Sequence, residues 1–203
     1  MLKRLVVLFA FAVGSFAVAH ATPVSGTLSA FGTDTFTAST ITFTNPGQIN
    51  GGPGSRSGSF SVLADGNAAT FFPGLVGALP YTQGTNIVPP GGSIYAFSTT
   101  NGVTTFDFNM TLYTAAYGAL PGCAAGATCL NITGMGIWTG TGFTPSPGSF
   151  TLSDQLVGGQ RTTTYSASAI AAPTNPVPEP ASLALVGSGI FGMAGFARRK
   201  FGC

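Results

Sequence analysis

From Thr22 to Ile170 the chain never sustains the apolar period of a helix. It runs in short alternating segments broken by Gly and Pro. The clearest is Thr104 to Tyr113. There Phe106, Phe108, Met110 and Leu112 fall on one side, and Asp107, Asn109 and Thr111 on the other. Successive side chains of a strand point to opposite faces, so a period of two sends the first set into a core. Asn101-Gly102 stands just before this run and Ser93 to Thr99 precedes it, which predicts a hairpin. Ser59–Leu63 and Ala68–Phe72, joined by Asp65-Gly66-Asn67, predict another. Ile41 and Phe43 alternate with Thr40, Thr42 and Thr44, the pattern of a half-buried strand. Leu130 to Thr139 is interrupted by Gly134 and Gly136, which predicts a bulge or a strained edge. Phe150 and Leu152 alternate again, and Thr162 to Ile170 reads as a last strand. Asn45 to Gly58 and Pro73 to Gly92 are rich in turn formers and read as loops. About eight short strands between such turns predict an all-β body over residues 22–170. The expected architecture is an antiparallel β-sandwich of jelly-roll or immunoglobulin-like type.

Low charge, 6% of the chain, together with 30 Gly and 14 Pro, is compatible with disorder. The 17 Phe and the many Thr, Ile and Val argue for a folded β-protein instead. Between Thr22 and Val177 two arginines, Arg56 and Arg161, stand against four aspartates, a net charge of −2 within a chain that is +2 overall. The basic residues therefore gather at the two ends. A body without a basic face has nothing to offer a nucleic acid.

The ends read as membrane-directed. Lys3 and Arg4 precede an apolar run from Leu5 to Ala19, and Ala19-His20-Ala21 supplies a small-x-small cleavage box. Residues 1–21 therefore read as a signal peptide, with signal peptidase as the first partner. The single histidine, His20, leaves with it or survives at best as the first residue. Without a histidine, a Ser-His-Asp or Cys-His catalytic arrangement has no base, and histidine metal sites are ruled out. No cofactor is expected. The remaining acids, Asp34, Asp65, Asp107 and Asp154, are the only candidates for a glycosidase pair. Asp65 to Asn67 is a weak candidate for calcium. Asn109-Met110-Thr111 and Asn131-Ile132-Thr133 match a glycosylation pattern common by chance in Thr-rich chains. Leu79-Pro80-Tyr81-Thr82-Gln83 resembles a sortase signal but lies mid-chain. Trp138, Tyr113 and Tyr117 are the candidates for stacking on a sugar, with core packing as the competing reading. Cys123 and Cys129 lie close together in a Gly/Ala-rich stretch. In an exported chain such a pair predicts a disulfide, stabilising by about 2 kcal/mol in the chain-entropy picture. Cys203 lies beyond the basic cluster and reads as a bystander.

The other end begins with a Pro-containing linker at residues 171–177. Pro178-Glu179-Pro180 follows, then the uncharged stretch Ala181 to Ala197, then Arg198-Arg199-Lys200. The uncharged stretch would make roughly 25 Å of helix, the short end of a membrane span. The basic cluster would hold its far end in the cytoplasm and leave the body outside. In this order, residues 178–203 resemble the PEP-CTERM sorting signal of exported bacterial proteins. That resemblance implies an exosortase as partner, acting near Pro178, Glu179 and Pro180. It also implies a transient stay in the inner membrane through residues 181–197, and a final place at the surface or in the matrix of a Gram-negative bacterium. An association with exopolysaccharide or biofilm is implied with it. The expectation is then a non-enzymatic surface or matrix protein. The alternatives are a carbohydrate-binding module or adhesin and, behind it, a secreted glycosidase.

Overall fold

The computed structural model describes residues 21–156, 163–171 and 188–189. Residues 174–203 separate from the body as a second compact unit. The described residues of the body hold nine strands: β1 Gly26–Phe36, β2 Thr40–Ile49, β3 Ala68–Phe71, β4 Leu79–Pro80, β5 Ile94–Thr100, β6 Thr105–Gly118, β7 Thr128–Gly140, β8 Ser146–Leu156 and β9 Thr163–Ala171. All of them pair antiparallel.

The expectation of antiparallel β-structure holds. The two-sheet sandwich does not appear. The strands form one sheet in the order β1-β9-β8-β7-β6-β5-β3-β2-β4, and a further β1–β2 pairing joins its two sides. The sheet curls round a single interior. Alternation says which side of a strand is apolar, but it cannot say whether a second sheet or the curl of the same sheet covers that side.

The ring of pairings is thinnest at β2–β3, where Gly47 and Gln48 face Ala69 and Ala68. Pro46 in β2 has no N–H to donate there. The side chain of Asn45 extends the pairing: its Nδ2 donates to the Phe71 carbonyl at 2.8 Å, and its Oδ1 accepts from the Phe71 N–H at 2.8 Å. The stretch predicted as one loop from Asn45 to Gly58 is thus partly strand.

The core is aromatic. Trp138, Phe60, Phe71, Phe97, Phe106, Phe108 and Phe150 are its largest fully buried side chains. Phe60 does not come from a strand. The predicted Ser59–Leu63 strand is a 3-10 turn, Gly58–Val62, which inserts Phe60 between Phe106 and Trp138, at ring-centroid distances of 4.9 and 5.0 Å. The chain crosses β1 here at backbone contact. A Cβ on Gly58 would lie 2.3 Å from the Ser25 carbonyl oxygen, and Gly58 has φ +56. Only glycine tolerates both.

The predicted Asn101-Gly102 hairpin is present between β5 and β6. The Asn101 Oδ1 accepts from Val103 N–H at 2.9 Å and Thr104 N–H at 2.8 Å, the self-capping that makes Asn a turn former. In β6 the register shifts between Met110 and Leu112. Phe106, Phe108 and Met110 point inward as expected. Beyond the shift Tyr113 and Ala115 take the buried positions, and Leu112, expected in the core, is only half-buried. The bulge predicted from Gly134 and Gly136 is real, but it lies in the partner strand. β7 is no edge, since it pairs with β6 over Cys129–Gly140 and with β8 over Thr128–Trp138.

Candidate functional site

Two of the three aromatic residues singled out for a sugar lie below the surface. Trp138 is 0% exposed, and Tyr113 is 3% exposed with its hydroxyl donating to the Pro80 carbonyl at 2.6 Å. Tyr117 is half-buried and edge-on to Phe36 at 6.0 Å. A glycan has no access to the indole face without opening the core, so the stacking expectation fails at Trp138. The bland core reading is the correct one there. Leu79 and Tyr81, within the sortase-like pentapeptide, are buried as well.

The four acids divide into three environments. Asp65 is exposed in the turn after Leu63, beside Asn67, whose Oδ1 accepts from the Ala64 N–H. Asp107 lies on the outer face of β6. Its Oδ1 accepts from the Tyr95 hydroxyl at 2.5 Å and from the Ser98 hydroxyl at 2.7 Å. This cross-strand trio pins one carboxylate oxygen to β5. Burial, and next the hydrogen bond to Asp107, raise the Tyr95 phenol above its ordinary value. Asp34 and Asp154 are 1% and 2% exposed. They sit in β1 and β8, register-paired with Thr163 and Tyr165 of the intervening β9. Neither the exposed nor the outer carboxylate has a second acid beside it by register. Among the described residues no three His, Cys, Asp or Glu side chains gather as metal ligands.

Tyr81 shares the Asp34 neighbourhood. Its hydroxyl donates to the Thr37 carbonyl. Burial, with the nearby charges of Tyr117 and Asp34 adding to it, pushes its phenol up from 10.0 to about 12. The folded state therefore holds this proton more tightly than the unfolded chain. The linked stability is intact below pH 10 and is lost as pH rises through the folded value. An absorbance titration of the tyrosines should show a late step near pH 12 that coincides with loss of the β-sheet circular dichroism signal. A Tyr81 phenol with its midpoint near pH 10, the ordinary tyrosine value, identified as the step that Tyr81→Phe removes, would show Tyr81 to be solvated.

Cys123 and Cys129 form the disulfide the sequence predicts. It staples the turn between β6 and β7. Asn131 is exposed and Asn109 half-buried, both on the outer face, so each glycosylation match sits within a paired strand.

The Thr144 N–H donates to the Thr22 carbonyl at 3.0 Å, and the Val24 N–H donates to the Thr144 carbonyl at 3.1 Å. Residues 1–20 lie outside the described residues. So do Pro178, Glu179, Pro180, Arg198, Arg199 and Lys200. Of the expected span 181–197 only Ser188 and Gly189 are described, and they are helical. Among the described residues no helix is long and apolar enough to cross a membrane.

Comparison with known proteins bears on the tail alone. No curated protein and no solved structure matches the chain. The family model of the PEP-CTERM protein-sorting motif matches residues 176–200, the stretch that holds Pro178-Glu179-Pro180 and the basic cluster. The chain is thus an exported protein that carries the PEP-CTERM sorting motif of exosortase substrates.

Proposed function

We propose that this chain is a non-catalytic surface or matrix protein of a Gram-negative bacterium. A signal peptide at residues 1–21 starts export. Residues 181–197 hold the chain in the inner membrane, with Arg198, Arg199 and Lys200 on the cytoplasmic side. An exosortase then acts near Pro178-Glu179-Pro180 and releases the body to the cell surface or to an exopolysaccharide matrix. The observation that carries this reading is the sorting motif at residues 176–200. Two features of the body support its non-catalytic half. Two of its four acids are buried in the interior, and a third is engaged by Tyr95 and Ser98. The sugar-binding alternative has lost Trp138, the residue that motivated it most.

Deleting residues 178–203 tests the sorting claim. The truncated chain should be exported through its signal peptide but miss the surface fraction, and it should no longer show the size shift of tail removal. Unchanged location and processing after this deletion would end the proposal.

A further inference from the structure

The outer wall of β6, β7, β8 and β9 is unlike the rest of the surface. Among the described residues, large apolar side chains are exposed elsewhere only as valines in loops and in a 3-10 turn, with one exception, Phe31 on the adjoining β1. On this wall Met135 is 61% exposed, Ile170 is 55% and Ile137 is 39%. They border an open groove of about 420 Å³ that runs across the strands, with Pro147 and Ser149 on its other sides. Its floor is the backbone of Gly136 and Gly148, which face each other in register.

The wall is also nearly without charge. β7 and β9 contain no Asp, Glu, Lys or Arg, and the one acid of β8, Asp154, points inward. Asp107 of β6 stands at the margin, tied to Tyr95 and Ser98. Hydroxyl and amide side chains lie beside the apolar ones. Register pairs Thr114 with Thr133 and Thr133 with Thr151, while Asn131 faces Ser153.

We infer that this wall is a docking face for a second copy of the chain, packed sheet on sheet about a two-fold axis. Three occupants compete, and the chemistry of the wall separates them. A bilayer interior would leave the rows of hydroxyls without partners, and the wall has no basic residue for anionic headgroups. A glycan would seek an exposed aromatic face, and the described side chains of the wall offer none. An identical wall supplies both apolar contact and hydroxyl partners, and it meets its mate without charge repulsion. Four strands about 4.8 Å apart and about ten residues long cover roughly 650 Å². Two such faces bury enough area for a small specific dimer, whose total starts at about 1,200 Å². In an isologous pair the ridge of Met135 on one copy enters the groove of the other.

The test uses the full chain with its tail, purified in detergent, and follows mass by sedimentation equilibrium. Trp138 fluorescence monitors folding, since the indole is buried. The wild type should be a dimer at tens of micromolar. Met135→Asp should retain the buried-indole emission and weaken association at least about tenfold, the scale of a central apolar anchor. Thr42→Asp, on the outer face of β2, should leave the dimer intact. A wild type that stays monomeric at about 100 µM overturns the inference. So does a dimer insensitive to Met135→Asp, which would assign association to the tail or another face. Co-sedimentation of a monomeric wild type with neutral phospholipid vesicles, lost in Met135→Asp, would overturn it in favour of a membrane.

Discussion

Replacing Trp138 with alanine is expected to destabilise the body by about 3–5 kcal/mol, the range for removing a fully buried large aromatic. The indole is 0% exposed. It packs against Phe108 at 4.9 Å, Phe60 at 5.0 Å and Phe97 at 5.8 Å between ring centroids. These rings come from β6, the 3-10 turn and β5, so three separately anchored elements would have to move before the cavity could close. The opposite side is equally fixed. A Cβ on Gly148 would stand 2.4 Å from the indole Cδ1, so β8 already lies at contact. Trp138→Phe should cost much less. Among the described residues the buried indole N–H has no hydrogen-bond partner, and phenylalanine removes that unsatisfied donor while it keeps a ring. Because Trp138 is the single tryptophan, urea unfolding must be followed by circular dichroism. An alanine variant within about 1 kcal/mol of wild type would mean that the indole is not the centre of the core, and the sugar-stacking reading would then return.

How far the sequence disclosed this structure depended on the range of the interactions. The sorting tail was readable because its signal is linear: the order Pro178-Glu179-Pro180, uncharged stretch, Arg198-Arg199-Lys200 carries the meaning without any fold. The Asn101-Gly102 hairpin was readable for a similar reason, since Asn101 bonds only to its immediate neighbours. Period two placed Phe106, Phe108, Phe150 and Leu152 correctly in the core. It failed where a distant strand decided the outcome. Leu112 continues the apolar alternation of β6 faultlessly, yet the register shift against β7 gives the core to Tyr113 and Ala115. Ser59 to Leu63 has the composition of a strand, but the gap between Phe106 and Trp138 draws Phe60 inward on a 3-10 turn. Trp138 gave no local sign of its depth. Its strand alternates equally well with the indole in or out, and the glycine that accommodates it, Gly148, lies in the next strand. Closure of one sheet in place of two facing sheets is the same failure at the largest scale.

The glycines of β7 offer the sharpest check of this cross-strand control. Gly136 is not at positive φ, so alanine meets no backbone penalty there. The obstacle is steric and lies in the partner strand. A Cβ on Gly136 would be 2.1 Å from the Asn109 carbonyl oxygen and 2.8 Å from the Met110 Cα. Both are backbone atoms at the β6 bulge, and they cannot yield without breaking the β6–β7 pairing. At Gly134 the same Cβ would meet the Met110 sulfur at 2.1 Å, and the Leu112 carbonyl oxygen only at 3.5 Å. A thioether can rotate away, since methionine is the most adaptable of core side chains. Gly136→Ala should therefore destabilise by about 3 kcal/mol, the upper end for overpacking, and Gly134→Ala by about 1 kcal/mol. Denaturant midpoints of the two variants, with Trp138 as reporter, measure the order. Hydrogen exchange then separates cause from consequence. In Gly136→Ala the loss of protection should centre on the β6 bulge and spread along β6–β7 before it reaches β1. Equal costs at the two glycines, or a larger cost at Gly134, would mean that the bulge yields freely. The flip of Leu112 out of the core would then need another cause than the close approach of these two backbones.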